Sequence, residues 1–382
     1  MKYVLYLSRR DVLVCTDMRD LVGMIHLVIL SAGDCTVMTT GPVGQPAPFT
    51  VDDLTEALAR CDLPLVSYER IEEGVHSVFA VETGLPNRSV VVKAFTCSNA
   101  PGNVTTEALL YQQVAKHTSI PVPAVIAFEL ATARRPSYLV LEKVRGEHLD
   151  GDIHSLPPAV LDRLYYEAGA YLGELHATFE LDSFGGVTVA GGTLMSDGSV
   201  STWADKFDAV VAPRIHGMSS GPFASYHSDV ERLFARTRHV FDDVDRPVVV
   251  HGDYRLGNML ITPATADAPV AAILDWECAF VGHHEYDLAR AEYMMIEQQL
   301  GDSPDTSIQP RLRTRLFDGY HDRFSFPNDE RVETRRHVYR AANILLQMWA
   351  FPVLWDGHSR TRRATVANGL ERQLQHVLST VN

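Results

Sequence analysis

Apolar positions change period along this chain, and the change divides it. Asp52 to Arg60 places Leu54, Ala57 and Leu58 at helical spacing behind Thr50, a residue suited to capping a helix start. Strand-forming residues follow at Tyr68 to Val81, Ser89 to Phe95 and Ser137 to Glu142, the second carrying the β-branched run Val90, Val91, Val92 into Lys93. Between the last two, Thr105 to His117 reads as a helix with Leu109, Leu110 and Val114 on one face. Pro121 and Pro123 end it and begin an extended segment.

After Gly146 helical periods dominate. Ala159 to Phe179 aligns Leu161, Leu164, Tyr165, Ala168, Leu172, Leu175 and Phe179 on one face. Further helices are predicted at Ser228 to Phe241, Tyr286 to Gln299, Arg311 to Arg323, Asp329 to Met348 and Arg360 to Val377, and Asp197-Gly198 is predicted to turn a hairpin. Two short apolar strands, Pro247 to Val250 and Val270 to Leu274, lie among these helices, and each ends on a polar cluster. Rigid strands that deliver polar groups at their ends are a common way to hold a site. The expected organisation is an extension over 1-48, a strand-rich domain over 49-145 and a mainly helical domain over 146-382. Met38 is a plausible alternative initiator before the polar stretch Thr39 to Pro48.

Composition narrows the partners. With 46% hydrophobic and 21% charged residues the chain is of ordinary folded composition. Its net charge of -14, from 34 basic and 48 acidic side chains, repels phosphate backbones and anionic bilayers, so neither nucleic acid nor a membrane is an expected partner. The apolar run Leu21 to Leu30 is broken by His26 and is short of the roughly 20 residues that span a bilayer. Asp11, Asp17 and Asp20 do not suit a signal peptide. Cys15, Cys35, Cys61, Cys97 and Cys278 are scattered and odd in number, against a disulfide framework or zinc site; the cytoplasm is the expected compartment.

Candidate chemistry concentrates in His251-Gly252-Asp253-Tyr254-Arg255-Leu256-Gly257-Asn258 and, one strand later, Asp275-Trp276-Glu277. Phosphoryl transfer to a hydroxyl needs a carboxylate to orient the hydroxyl and take its proton, plus oxygen ligands for metal ions on the phosphates. Asp253 suits the first task, Asn258 and Asp275 the second. The segment resembles the catalytic loop and metal motif of aminoglycoside phosphotransferases, small-molecule kinases that share the protein-kinase fold. His-Gly-Asp and Asp-Trp-Glu replace the protein-kinase forms His-Arg-Asp and Asp-Phe-Gly. Gly282-His283-His284-Glu285-Tyr286-Asp287-Leu288-Ala289 resembles that family's next helix start, whose aspartate buttresses the catalytic loop.

The resemblance implies an α+β, two-lobed fold: an N-terminal antiparallel sheet with one helix, and a larger, mainly helical C-terminal lobe holding the acceptor. It implies that ATP, or alternatively GTP, is used with Mg²⁺. Lys93 paired with Glu107 would hold the α- and β-phosphates, Gly74 and Ser77 would lie in a phosphate loop with a single glycine, and Glu142 and Val144 would flank adenine at a hinge. No Gly-x4-Gly-Lys-Ser/Thr sequence occurs, against a P-loop enzyme.

Taken singly, these residues have plainer readings: Asp253 and Asp275 as turn formers at strand ends, Lys93 as a surface lysine, and Glu107 as an acid near a helix start. His251 reads as a core histidine, and a zinc set of His251, His283, His284 and Asp253 lacks a His-x3-His pair. Two rivals from other classes are a silent nucleotide-binding module of the same fold and a metal-dependent hydrolase. The acceptor is a small hydroxylated molecule: a polycation would suit Asp205, Asp208, Glu277 and Glu285, and a quaternary ammonium would suit a cage of Trp203, Trp276, Trp349 and Trp355, although core packing is the simpler reading of the tryptophans. The oligomeric state is left open.

Overall fold

The computed structural model describes residues 48–381 apart from 72–75, 87, 96–99, 133, 150–152, 154–155, 263–267, 302–304 and 327–329, together with the backbone of two short strands, β1 (Tyr3–Tyr6) and β2 (Val12–Cys15). Met38 and Gly74 lie outside the described residues. Two compact units emerge: Met1–Thr105, Val125–Lys143 and Gln347–Ala367 form one, and Thr106–Ala124, Val144–Leu346 and Asn368–Asn382 the other. No helix among the described residues is long and apolar enough to cross a membrane.

In the first unit, α1 (Val51–Ala59) starts at Thr50, whose side chain accepts from the Asp53 amide while the Asp53 carboxylate accepts from the Thr50 amide. This reciprocal cap satisfies donors that have no partner within the helix. Strands β3 (Ser67–Ile71), β4 (Ser77–Glu82) and β5 (Ser89–Ala94) form an antiparallel sheet, continued after α2 (Ala100–His117) by β6 (Val125–Glu129) and β7 (Tyr138–Glu142), in the order β3-β4-β5-β7-β6. Leu54, Ala57 and Leu58 of α1 join Phe79, Val81, Val90, Val92, Ala94, Tyr138 and Val140 in one buried cluster. Alternation along β5 therefore points Val90 and Val92 into that cluster and Lys93 to the opposite face.

The second unit takes in α2 from Thr106 onward and continues with β8 (Glu147–His148) and α3 (Pro158–Thr178), then a hairpin of β9 (Gly185–Ala190) and β10 (Thr193–Ser196). The hairpin turns at Gly191-Gly192, both at positive φ (59° and 80°), and not at the expected Asp197-Gly198. Adjacent positive φ values favour paired glycine. The Asp197 carboxylate instead accepts from the Gly186 and Ser199 amides, fixing the exit of β10.

Helix α4 (Trp203–Met218) is not among the predicted elements; Pro213 and Gly217 lie within a sequence that gives no sustained helical signal, yet Trp203, Phe207, Val210 and Val211 bury one face. Helix α5 (His227–Thr237) leads to β11 (Pro247–Val250), β12 (Met259–Ile261), β13 (Val270–Ile273) and β14 (Phe280–His283), making small antiparallel sheets ordered β10-β9-β14-β11 and β13-β12-β8. Helix α6 (His284–Glu292) passes through a π turn, Tyr293–Glu297, and ends at Leu300. Helices α7 (Ile308–His321), α8 (Val332–Leu354) and α9 (Arg360–Thr380) complete the chain.

Helices α3 and α7 touch backbone to backbone. A Cβ built on Gly169 would lie 1.9 Å from the Leu316 carbonyl oxygen, and one on Gly319 would lie 1.9 Å from that of Tyr166. Only glycine permits this approach, because backbone cannot move aside as a flexible side chain can. Gly319→Ala should therefore force the helices apart and destabilise the protein by about 2 kcal/mol or more. Thermal and denaturant unfolding would measure it, and a wild-type midpoint would refute the constraint.

Candidate active site

The catalytic-loop segment follows directly from β11, whose four residues are all buried. His251 is fully buried; its Nε2–H donates to the Leu274 carbonyl at 3.0 Å, and its Nδ1 accepts from the Asp253 amide at 3.3 Å. Burial pushes the imidazole pKa down, so it is neutral and its tautomer is set by these two partners. The ring thereby ties the end of β13 to the loop. Gly252 has φ +76°, and a Cβ there would meet the Cys278 carbonyl oxygen at 2.3 Å.

Asp287, in the first turn of α6 and wholly buried, accepts from the His251 amide at 2.7 Å and the Gly252 amide at 3.1 Å. Its Oδ2 also faces His176 Nε2 at 3.4 Å, while His176 Nδ1 meets the Tyr320 hydroxyl at 2.8 Å. Burial alone would raise the Asp287 pKa, but hydrogen bonding and charge from His176 and His251 outweigh it and hold the carboxyl below its ordinary value. The loop is thus positioned by an ionised carboxylate on two backbone amides.

Asp253 is 6% exposed. Its Oδ1 accepts from Arg290 Nη2 at 2.6 Å, and its Oδ2 from Arg255 Nε at 3.0 Å and Asn258 Nδ2 at 2.9 Å. Burial opposes ionisation, yet the two guanidinium groups prevail and hold the pKa well below the usual carboxylate range. A carboxylate offers about four lone-pair positions. Three are engaged, leaving one to orient a hydroxyl. Asn258 Nδ2 also donates to the Asp253 carbonyl, so both neighbours of this nitrogen are acceptors and the amide oxygen points elsewhere, available to a cation.

Asp275 lies just beyond β13 in the left-handed region at φ 63°, uncommon for a residue with a Cβ, and its amide donates to the Tyr111 hydroxyl at 2.9 Å. Carboxylate oxygens of Glu107, Asp275 and Glu277 lie within 4.8 Å of one another. These hard oxygen donors fit Mg²⁺. Glu107, expected beside Lys93, thus stands beside the candidate metal ligand. Of the remaining expected residues, Lys93 has its ammonium 5.1 Å from the Phe95 ring centre, Ser77 opens β4 opposite Ala94, Glu142 ends β7 opposite Val90, and Val144 is half-buried just beyond β7.

The His and Asp zinc set is not assembled among the described residues. His283, His284 and Glu285 cluster without His251 or Asp253, and Glu285 accepts two bonds from Arg335, at 2.5 and 2.8 Å. His283 Nδ1 meets the Tyr339 hydroxyl at 2.7 Å. Trp203 and Trp276 are buried in the core, so they do not line an open cage. Arg290 was not singled out in the sequence; it lies three residues beyond Asp287 on α6, a spacing that places both near one helix face.

A segment of 173 residues, 45% of the chain, is 29% identical to acyl-CoA dehydrogenase family member 11 of Gallus gallus, and 179 residues are 26% identical to the Homo sapiens protein. Each match spans 20% of the relative's own length. Among solved structures, a microcompartment-associated aminopropanol kinase superposes with a TM-score of 0.63 at 17% identity, covering 87% of this chain and 98% of that one. The GDP and kanamycin complex of the aminoglycoside phosphotransferase APH(2″)-IIia gives 0.61 at 14%, covering 85% and 99%. At such identities these likenesses establish the protein-kinase-like α+β fold. The phosphotransferase enzyme family model matches residues 67–334, which takes in the sheet, the catalytic-loop segment and α6, and the chain belongs to that family.

Proposed function

We propose that this chain transfers the γ-phosphoryl group of ATP, or alternatively GTP, to a hydroxyl of a small molecule, using Mg²⁺. The observation that carries the reading is the bond of Asn258 to Asp253 together with the clustering of the Glu107, Asp275 and Glu277 carboxylates. Asp253 accepts the acceptor hydroxyl at its remaining lone-pair position and orients it toward the phosphorus. With two arginines on it, this carboxylate is a weak base, so its main contribution is orientation and late proton acceptance.

Asp275 and Asn258 hold the cation, with Glu277 near the former. Bound there, Mg²⁺ supplies charge neutralisation along the phosphates. Lys93 binds the α- and β-phosphates, Ser77 contributes to the phosphate loop, and backbone groups at Glu142 and Val144 meet the purine. This assigns residues 49-145 to nucleotide binding and 146-382 to catalysis and the acceptor.

Incubating hydroxylated small molecules with labelled ATP and Mg²⁺ tests the activity; absence of phosphorylated product across a chemically broad panel would favour a silent nucleotide-binding module. Asp253→Ala should retain nucleotide binding and lose turnover by at least about 100-fold, whereas near-normal turnover would exclude it from the reaction. Asp275→Ala should weaken nucleotide binding only when Mg²⁺ is present, measured by titration calorimetry with and without the ion.

The charge around Asp253 gives a pH prediction. Its pKa is depressed, so wild-type kcat should carry no acid limb from this group above about pH 5. In Arg290→Gln, burial is opposed by Arg255 and Asn258 alone, the pKa rises, and kcat should fall as pH is lowered through the new value. A superimposable kcat profile would show that Arg290 does not set the ionisation of Asp253.

A further inference from the structure

Arg214 lies on the buried face of α4 with Trp203, Phe207, Val210 and Val211, and is only 4% exposed. Its Nε has no hydrogen-bond partner, and no ion pair of Arg214 is found among the described residues. Buried guanidinium groups are ordinarily matched by a carboxylate, because an uncompensated charge away from water is costly. Beside Arg214 stand Tyr286, whose hydroxyl is its hydrogen-bonding neighbour, Cys278 and a second buried cation, Arg290. Arg290 donates to Asp253 and Asn343, and its own Nε is likewise without a partner. Burial pushes the Arg214 pKa down, as expected where no anion compensates it.

Three guanidinium groups gather around the candidate base. Arg290 and Arg255 both pair with Asp253, and Arg214 adds a third cation next to Arg290, with the Asp275 and Glu277 carboxylates in reach of the same Cys278 thiol that Asp253 and Arg290 neighbour. Three of the four acidic groups suited to a polycationic acceptor are already engaged, Asp205 and Asp208 with Arg238 and Glu285 with Arg335, while Glu277 lies with Glu107 and Asp275. None of these acids is found paired with Arg214 among the described residues.

We propose that Arg214, together with Arg290, forms a subsite for an anionic oxygen group, a carboxylate or phosphate, borne by the hydroxylated acceptor. A guanidinium presents paired N–H donors in the spacing of two oxygens on such a group. The proposal rests on the phosphotransferase reading for the identity of the bound molecule as acceptor, but the anion site itself is independently measurable. The acceptor's anion compensates Arg214 and places the hydroxyl beside Asp253.

The test uses four three-carbon alcohols that differ at the far end: 3-hydroxypropionate, 3-hydroxypropyl phosphate, propane-1,3-diol and 3-aminopropan-1-ol. Binding to the full chain without nucleotide is measured by titration calorimetry, and phosphoryl transfer by labelled ATP, for wild type, Arg214→Gln, Arg214→Lys and Arg214→Met. At least one anion should bind wild type roughly 10-fold or more tightly than the diol and the amine, the usual weight of a charge-assisted bond. Arg214→Gln should erase that preference and Arg214→Lys retain part of it. Preference for the phosphate over the carboxylate, or the reverse, identifies the source of the anionic group.

A second measurement separates this role from a structural one. Removing an unpaired buried charge should leave the ligand-free Tm of Arg214→Met at or above wild type, whereas a structural arginine would lower it. Equal affinity for anion and amine, anion binding that persists in Arg214→Gln, or a marked loss of Tm in Arg214→Met overturns the proposal. Anion preference that depends on Arg214 without transfer to any alcohol supports the subsite and counts against the phosphotransferase reading.

Discussion

The geometry of the candidate site depends on one buried carboxylate. Asp287 accepts the amides of two consecutive residues, His251 and Gly252, and so fixes the backbone immediately before Asp253. An ion of this kind is tolerable in a protein interior only when its lone pairs are satisfied, and here backbone and His176 do so. His176 is held in turn by Tyr320, on the helix that Gly169 and Gly319 allow to approach α3. Close packing of two helices is thereby connected through a tyrosine and a histidine to the orientation of the loop.

The same helix that carries Asp287 delivers Arg290 one turn later, so positioning and charge of Asp253 come from a single element. This has a chemical cost and a benefit. A carboxylate gripped by cations is a poor proton acceptor, but it is rigid, ionised and aimed. Phosphoryl transfer through a loose transition state asks more of aim than of basicity. The overall charge of -14 gives no hint of this cationic surrounding, because buried charges are set by contacts and the total is set by the surface.

Much of this was legible in the sequence, and the parts that were not have identifiable reasons. Helices with sustained apolar periods, such as α3 and α9, are visible because burial of one face imposes the pattern. Helix α4 was hidden by Pro213, and the hairpin turn was assigned to Asp197-Gly198 although Gly191-Gly192 makes it, since both pairs carry turn chemistry and only strand register chooses between them. Asp253, Asn258 and Asp275 stand out by order and spacing. Arg290 and Arg214 do not, because arginine is common in this chain and their significance arises from burial and missing partners, which are properties of the folded state.

Asp275 ties the carboxylate cluster to the backbone. It occupies a left-handed backbone conformation in which a glycine would sit with less strain, by about 1 kcal/mol. Glycine at this position would thus relieve backbone strain while removing one of three clustered carboxylates, so the strain and the cluster are bound to the same residue.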